Sequence, residues 1–181
     1  HQVFEPFPVG RLDKDTVGLL LLTNDGELNH RLISPKWKVD KVYRAKIDAR
    51  VTEKDIQKFK DGITLDDGYV CKEAILEIIS ATDEESEIKL TIQEGKFHQV
   101  KRMFEAVNKN VTYLQRIEFG TLTLDEDLEE GAYRELTEEE INIIKDIDNF
   151  TIKKQEEYYQ LLKTFEDKVS NKELDYKIAY L

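Results

Sequence analysis

Residues 9–26 read VGRLDKDTVGLLLLTNDG. Gly10 and Arg11 lead into Leu12-Asp13, a second acid follows at Asp15, and an unbroken apolar run over residues 17–22 closes on Thr23-Asn24-Asp25-Gly26. An apolar run of this length between turn residues predicts a strand buried on both faces, because a half-buried strand would alternate. Asp13 then stands just upstream of the core, where two readings compete. An aspartate in a turn commonly satisfies nearby backbone N–H groups. An aspartate held by a rigid strand at the mouth of a cleft, with Arg11 beside it, is also where a reactive acid is found. The local pattern leaves both open.

Downstream, residues 27–33 have the spacing of a short helix with Leu28, Leu32 and Ile33 on one face, ended by Ser34-Pro35. Residues 39–49 alternate as a strand, with Val42, Arg44 and Lys46 on one face and Tyr43, Ala45 and Ile47 on the other. Pattern alone reads Tyr43 as a core aromatic as readily as a functional residue, since a buried tyrosine needs only one partner for its hydroxyl. Thr52 with Asp55 three residues on caps a helix to Asp61, and Gly62 stops it. Residues 63–65, 69–72, 74–81 and 86–93 read as short strands parted by the turn signals DDG and TDEE. This is a meander with helices, not a nucleotide-binding βαβ series, and no GxGxxG or phosphate-loop pattern occurs.

Residues 98–108 return to helical spacing, with Val100, Phe104 and Val107 in an apolar stripe and Lys101, Arg102 and Glu105 on the neighbouring surface. A basic pair at the start of a helix opposes the helix dipole. Such a local misfit marks a functional position; a solvated charged face is the competing reading. Residues 111–119 form a further strand that Gly120 breaks and residues 121–124 continue, and Thr137 with Glu140 opens another capped helix. In the tail, Tyr158, Leu161, Leu162 and Phe165 predict an amphipathic helix over residues 153–169, with a short second piece after Asn171. Packing back on the domain is the favoured use of that stripe.

Composition sets the outer bounds. A chain of 181 residues supplies one sizeable domain with an appendage, not two large domains. Hydrophobic residues at 40% and charged residues at 36% describe a soluble globular protein, and no apolar stretch approaches the roughly 18 residues that span a bilayer. With no signal peptide in view and one cysteine, Cys71, the expectation is a cytoplasmic protein without an internal disulfide or a cysteine-built metal site. The net charge of −11 argues at first against a nucleic-acid partner. Its distribution argues otherwise: residues 125–181 hold 8 basic against 17 acidic side chains, whereas residues 1–124 hold 19 against 21. Basic clusters stand out at Lys36, Lys38 and residues 41–46, and again at residues 96–102.

The stretch GRLDKDTVGLLLLTNDG resembles the signature of the pseudouridine synthases, in particular the bacterial branch that modifies ribosomal RNA of the small subunit. VDKVYRAKI, residues 39–47, resembles that branch's tyrosine-bearing strand, and EGKFHQVKRMFEAV, residues 94–107, resembles its later motif. The three stand in the family's order, and the resemblance runs from about Pro6 to Glu140. It implies an α+β fold, a mixed and mainly antiparallel sheet flanked by helices. Residues 1–148 would be the catalytic domain and residues 149–181 a helical C-terminal extension. The resembling proteins carry a small S4-type RNA-binding domain ahead of this point, so a chain opening at His1 is expected to be N-terminally incomplete.

By that resemblance Asp13 is the essential nucleophile or base, Tyr43 packs against the target base and is a candidate for proton transfer, and Lys101 forms an ion pair with Asp13, with Arg102 the runner-up. An opposite charge within about 4–6 Å holds a carboxylate in its ionised form. Phe97 and His98 would shape the entrance for RNA, and Arg11 would fill the space that a flipped uridine vacates. Lys36, Lys38, Lys41, Arg44, Lys96 and Arg102 complete the expected RNA-binding set. The implied reaction breaks a glycosidic C–N bond, turns the uracil and forms a C–C bond at C5, with the uridine out of the stack. It calls for no cofactor and no metal, a ribosomal RNA partner with 16S favoured, no membrane, and a monomer. FHQVKRM matches the small-subunit enzymes better than their large-subunit relatives. The alternatives are a large-subunit synthase, a catalytically silent RNA- or partner-binding remnant of the family, or an unrelated α+β interaction protein.

Overall fold

The computed structural model describes residues 5–146. In chain order the elements are β1 (Phe7–Pro8), β2 (Val17–Gly18), β3 (Leu22–Thr23), α1 (Gly26–Ile33), β4 (Lys41–Ile47), α2 (Glu53–Asp61), β5 (Ile75–Ala81), β6 (Ser86–Ile92), α3 (Gln99–Glu105), β7 (Val111–Phe119), β8 (Leu122–Thr123) and α4 (Glu138–Lys145). The tail helix expected over residues 153–169 lies outside the described residues.

The sheet is built on β4. Its inward residues Tyr43, Ala45 and Ile47 stand opposite Leu90, Ile88 and Ser86 of β6 on one side. On the other side Tyr43 and Ala45 stand opposite Arg116 and Leu114 of β7. The order is β2-β7-β4-β6-β5, with β8 also on β7, and β2 is the one parallel neighbour among the described strands. The fold is therefore α+β with a mixed, mainly antiparallel sheet, as the resemblance implies. Against the inward face pack α2 and α3, and Phe59 and Phe104 meet ring to ring at 4.9 Å in the larger of two cores. A smaller core joins Val9, Leu21, Leu28, Leu32, Val39, Phe119, Leu122 and Ile144.

Local signals hold at both helix starts that the sequence marks. Thr52 donates its backbone N–H to the Asp55 carboxylate at 2.8 Å, and Thr137 does the same to Glu140 at 2.8 Å. Gly62 ends α2 at φ 98°, where an L side chain is strained. On α1, Leu28 and Leu32 are buried as expected, but Ile33 is exposed beside Gly10. Residues 63–65 and 69–72 make a single bridge, Thr64 to Val70, flanked by the Leu65–Tyr69 and Cys71–Ile63 backbone bonds, rather than two full strands.

The run at residues 17–22 departs from expectation: it is not one strand buried on both faces. Val17 and Gly18 pair with β7 in the main sheet, whereas Leu22 and Thr23 pair with Phe7 and Pro8 in a separate ribbon. Leu21 is buried, but Leu20 and Leu22 are 40% and 51% exposed. The chain turns at Gly18, with φ +102°. A Cβ there would lie 2.3 Å from the carbonyl oxygen of Arg116, so the backbone of β2 comes closer to β7 than any other residue allows. Apolar composition cannot report a change of sheet partner within six residues.

Candidate active site

Asp13 sits in the loop between β1 and β2, in a turn that its carbonyl closes by accepting the Thr16 N–H at 3.0 Å. Val9 ties the start of this loop to Leu21 through a 2.8 Å backbone bond, and Gly18 ties its end to β7. The loop is thus clamped at both ends, and its carboxylate looks across to α3. There Lys101 holds its ammonium 3.4 Å from one Asp13 oxygen and in direct contact with Asp15 as well. Burial works against the Lys101 charge, but the Asp15 hydrogen bond and the two carboxylates outweigh it and raise its pKa above the ordinary lysine value. The same hydrogen bond lowers the pKa of Asp15. His98 adds its Nε2 at 3.8 Å from the other Asp13 oxygen.

Asp13 and His98 border a cleft of about 570 Å³, which Arg11, Lys41, Tyr43, Lys96 and Phe97 line together with Tyr69, Glu94 and Arg116. Tyr43 presents its ring from β4. Burial raises its phenol pKa, and although the neighbouring Arg116 charge and hydrogen bond work the other way, the hydroxyl stays protonated through the neutral range. Phe97 is 69% exposed and stacks on the His98 ring at 3.8 Å, giving the cleft a two-ring lip. His98 is held at φ 47°, an uncommon backbone for a residue other than glycine.

The turn that carries this lip is fixed by Glu94. Its buried carboxylate accepts the Tyr69 hydroxyl at 2.5 Å, the Lys72 N–H at 2.9 Å and the Gln99 amide at 3.0 Å. Burial alone would raise the Glu94 pKa, but these donors prevail and lower it, while the Tyr69 hydroxyl is pushed up to about 12. Lys96 closes the arrangement, its N–H on the Gln99 side-chain oxygen at 2.9 Å and its ammonium over the Tyr69 ring.

The remaining expected residues lie elsewhere. Arg102 pairs with Asp66 and Asp67 and so braces the 66–68 turn against α3 instead of reaching Asp13. Arg44 pairs with Glu87 on the outer face of the sheet, opposite to Tyr43. Lys36 lies over the Trp37 ring and Lys38 follows at φ 48°, just past Pro35 at the cleft's edge. Glu94, Gln99 and Tyr69 are absent from the expected set. The first two stand inside EGKFHQVKRM, where a buried acid and amide ahead of a helix are the available signal; Tyr69 offers none. Arg116 is also absent from that set. On an alternating strand it occupies a core position, and only its neighbours reveal its use. Among the described residues no cluster of three or more His, Cys, Asp or Glu could hold a metal, and no helix is long and apolar enough to cross a membrane.

The sequence model of the RNA pseudouridylate synthase family matches residues 1–106. An uncharacterized RNA pseudouridine synthase of Bacillus subtilis is 49% identical over 143 residues, 79% of this chain and 60% of the relative. Ribosomal small subunit pseudouridine synthase A of Escherichia coli is 45% identical over 133 residues, 73% of this chain and 56% of the relative. The chain thus spans less than two thirds of the length of these curated relatives. Among solved structures, a crystal structure of a pseudouridylate synthase superposes with a TM-score of 0.73 at 42% identity, covering 77% of this chain and 60% of that one.

Proposed function

Since this chain belongs to the RNA pseudouridylate synthase family, we propose that it isomerises a specific uridine of ribosomal RNA to pseudouridine, that the RNA is 16S, and that Asp13 is the essential aspartate, acting as nucleophile or base. The observation that carries this reading is the meeting of Asp13 and Tyr43, from a loop and a strand, on one cleft with Arg11 at its edge, while Lys101 from α3 pairs with the Asp13 carboxylate. Likeness to the small-subunit enzyme of Escherichia coli supports the choice of RNA.

In this reading the uridine leaves its stack, at a cost of a few kcal/mol, and enters between Tyr43 and the Phe97–His98 lip. Lys101, 3.4 Å from the Asp13 carboxylate, keeps it aimed into the cleft. The protonated Tyr43 packs against the base, and Arg11 occupies the vacated place in the RNA. The C1′–N1 bond breaks, the uracil rotates and C1′–C5 forms; the C5 proton leaves and N1 gains one, so the product is an isomer. Residues 1–148 act as the catalytic unit, as a cytoplasmic monomer, with Lys36, Lys38 and Lys96 on the phosphates outside the cleft. Those contacts make binding weaken as salt rises.

The test is pseudouridine formation in a 16S transcript or assembly intermediate that lacks the modification, with the parent chain and its Asp13→Asn variant. Product from the parent alone is expected. If neither makes product while both bind the RNA equally, the chain is a silent binder.

A further inference from the structure

The floor of the cleft holds two cations that the reaction outlined above does not use. Arg116 is only 2% exposed, yet one of its guanidinium nitrogens, Nη2, is buried without any hydrogen-bond partner. Its Nε donates to the Leu19 carbonyl at 2.9 Å, which fixes the side chain's direction. A bulge in β7 sets the surroundings. Val42 stands opposite Glu118 and Tyr43 opposite Arg116, so Ile117 is the extra residue. Without it Arg116 and Phe119, three residues apart, would face opposite sides of the sheet; with it both face the cleft. Lys41, opposite Phe119 and two residues from Tyr43, shares that side. Its ammonium lies 5.7 Å and the Arg116 guanidinium 5.0 Å from the centre of the Phe119 ring.

Neither cation enters an ion pair among the described residues, although the charges of Asp40 and Glu94 reach Lys41. Of the other cations, Lys101 is neutralised by Asp13 and Asp15 and Arg102 by Asp66 and Asp67, whereas Arg11, Lys72 and Lys96, which also line the cleft, are exposed to solvent. Buried charges normally come paired and a buried N–H normally has an acceptor. A neutral uracil carbonyl would satisfy the N–H and leave two positive charges uncompensated; an anionic oxygen answers both.

We infer that Lys41 and Arg116 form an oxyanion subsite on the cleft floor that takes a phosphodiester group of the nucleotide drawn into the cleft, with Phe119 as its apolar backing. This deepens the RNA-modifying reading and rests on it for the source of the phosphate. Burial and the Arg116 charge lower the Lys41 pKa to about 8, and an anion bound beside both cations would raise it.

Two measurements test the subsite. The first is the salt dependence of binding of a single-stranded, uridine-containing RNA to the parent, Lys41→Gln, Arg116→Gln and Arg116→Lys, each checked for native circular dichroism. Lys41→Gln and Arg116→Gln should each flatten the slope of log K against log salt by about 0.7, the value for one phosphate contact on a single strand. Arg116→Lys should keep the parent slope. Native variants Lys41→Gln and Arg116→Gln with the parent slope overturn the subsite; should Arg116→Gln not fold, Lys41→Gln decides. The second serves if the parent binds no RNA, which would count against the functional reading itself. Inorganic phosphate is then titrated at constant ionic strength against the Arg116 Nε–H resonance. A saturable shift in the parent that Lys41→Gln abolishes upholds the oxyanion subsite alone, and no shift overturns it.

Discussion

At Lys101 one ammonium serves two carboxylates, and it does so from the first turn of α3, where the helix dipole disfavours a cation. The sequence betrays the misfit but not its resolution, which needs Asp13 and Asp15 from a loop more than 80 residues away. Lys101→Met should leave Asp13 without its aim and lower single-turnover pseudouridine formation about 100-fold, the scale of a 1 Å misplacement. Lys101→Arg should recover most of that, and an inactive Lys101→Arg would mean that charge alone is not what matters. Lys41 yields a prediction of opposite sign for stability. Its folded pKa of about 8 lies below the ordinary 10.5, so the unfolded chain binds more protons between these values and parent stability rises with pH across that window. Below pH 8 the full cost is present, roughly 3 kcal/mol. Lys41→Met should therefore melt higher than the parent at pH 7, with the gap closing by pH 10.5, as read in urea titrations at each pH. A variant less stable at pH 7 would sink this account.

Elements place the residues through two backbone devices, Gly18 and the bulge at Ile117. Gly18 brings the Asp13 loop against β7, where the Leu19 N–H donates to the Arg116 carbonyl at 2.8 Å and the Arg116 side chain answers on the Leu19 carbonyl. Gly18→Ala puts a Cβ on that carbonyl at a positive φ. It should cost about 2–3 kcal/mol by thermal unfolding and reduce turnover more than substrate binding, since it shifts Asp13 and leaves the outer lysines in place. Equal loss of both would show that the loop is not the part displaced. The helices were legible because their caps are local: Thr52 with Asp55 and Thr137 with Glu140 each lie within four residues. The strand at residues 17–22 was not, since its partners change from one sheet to another at a single glycine.

At the scale of the molecule, the cleft runs between two cores of unequal strength. The larger unites β4, β5, β6 and β7 with α2 and α3, and Phe59 at its centre is fully buried. Phe59→Ala should cost about 3–5 kcal/mol of global stability. The smaller core rests on α1, α4, β8, the end of β7, and Val9, Leu21 and Val39 outside the strands, Val9 and Leu21 flanking the two-residue strands β1 and β3. Few ladder bonds guard it, so in native-state hydrogen exchange the amides of Val9 and Leu21 should exchange through a smaller opening than those of Ala45 and Leu90. Equal protection would mean that the two cores open as one. A cleft with one firm wall and one yielding wall would suit the proposed entry and release of a flipped nucleotide.

The sequence by itself determined the family, the α+β class, the capped helices, the strands at residues 41–47 and 111–119, and the pairing of Asp13 with Lys101 through its ordered motifs. These depend on spacing within a few residues or on a signature carried whole. The tertiary structure alone decided that Arg44 and Arg102 are engaged away from Asp13, that residues 17–22 divide between two sheets, and that Glu94, Tyr69 and Arg116 belong to the cleft. The reason is physical: a side chain's use depends on what the opposite strand brings to it, and a bulge or a glycine contact changes that partner without changing the local pattern.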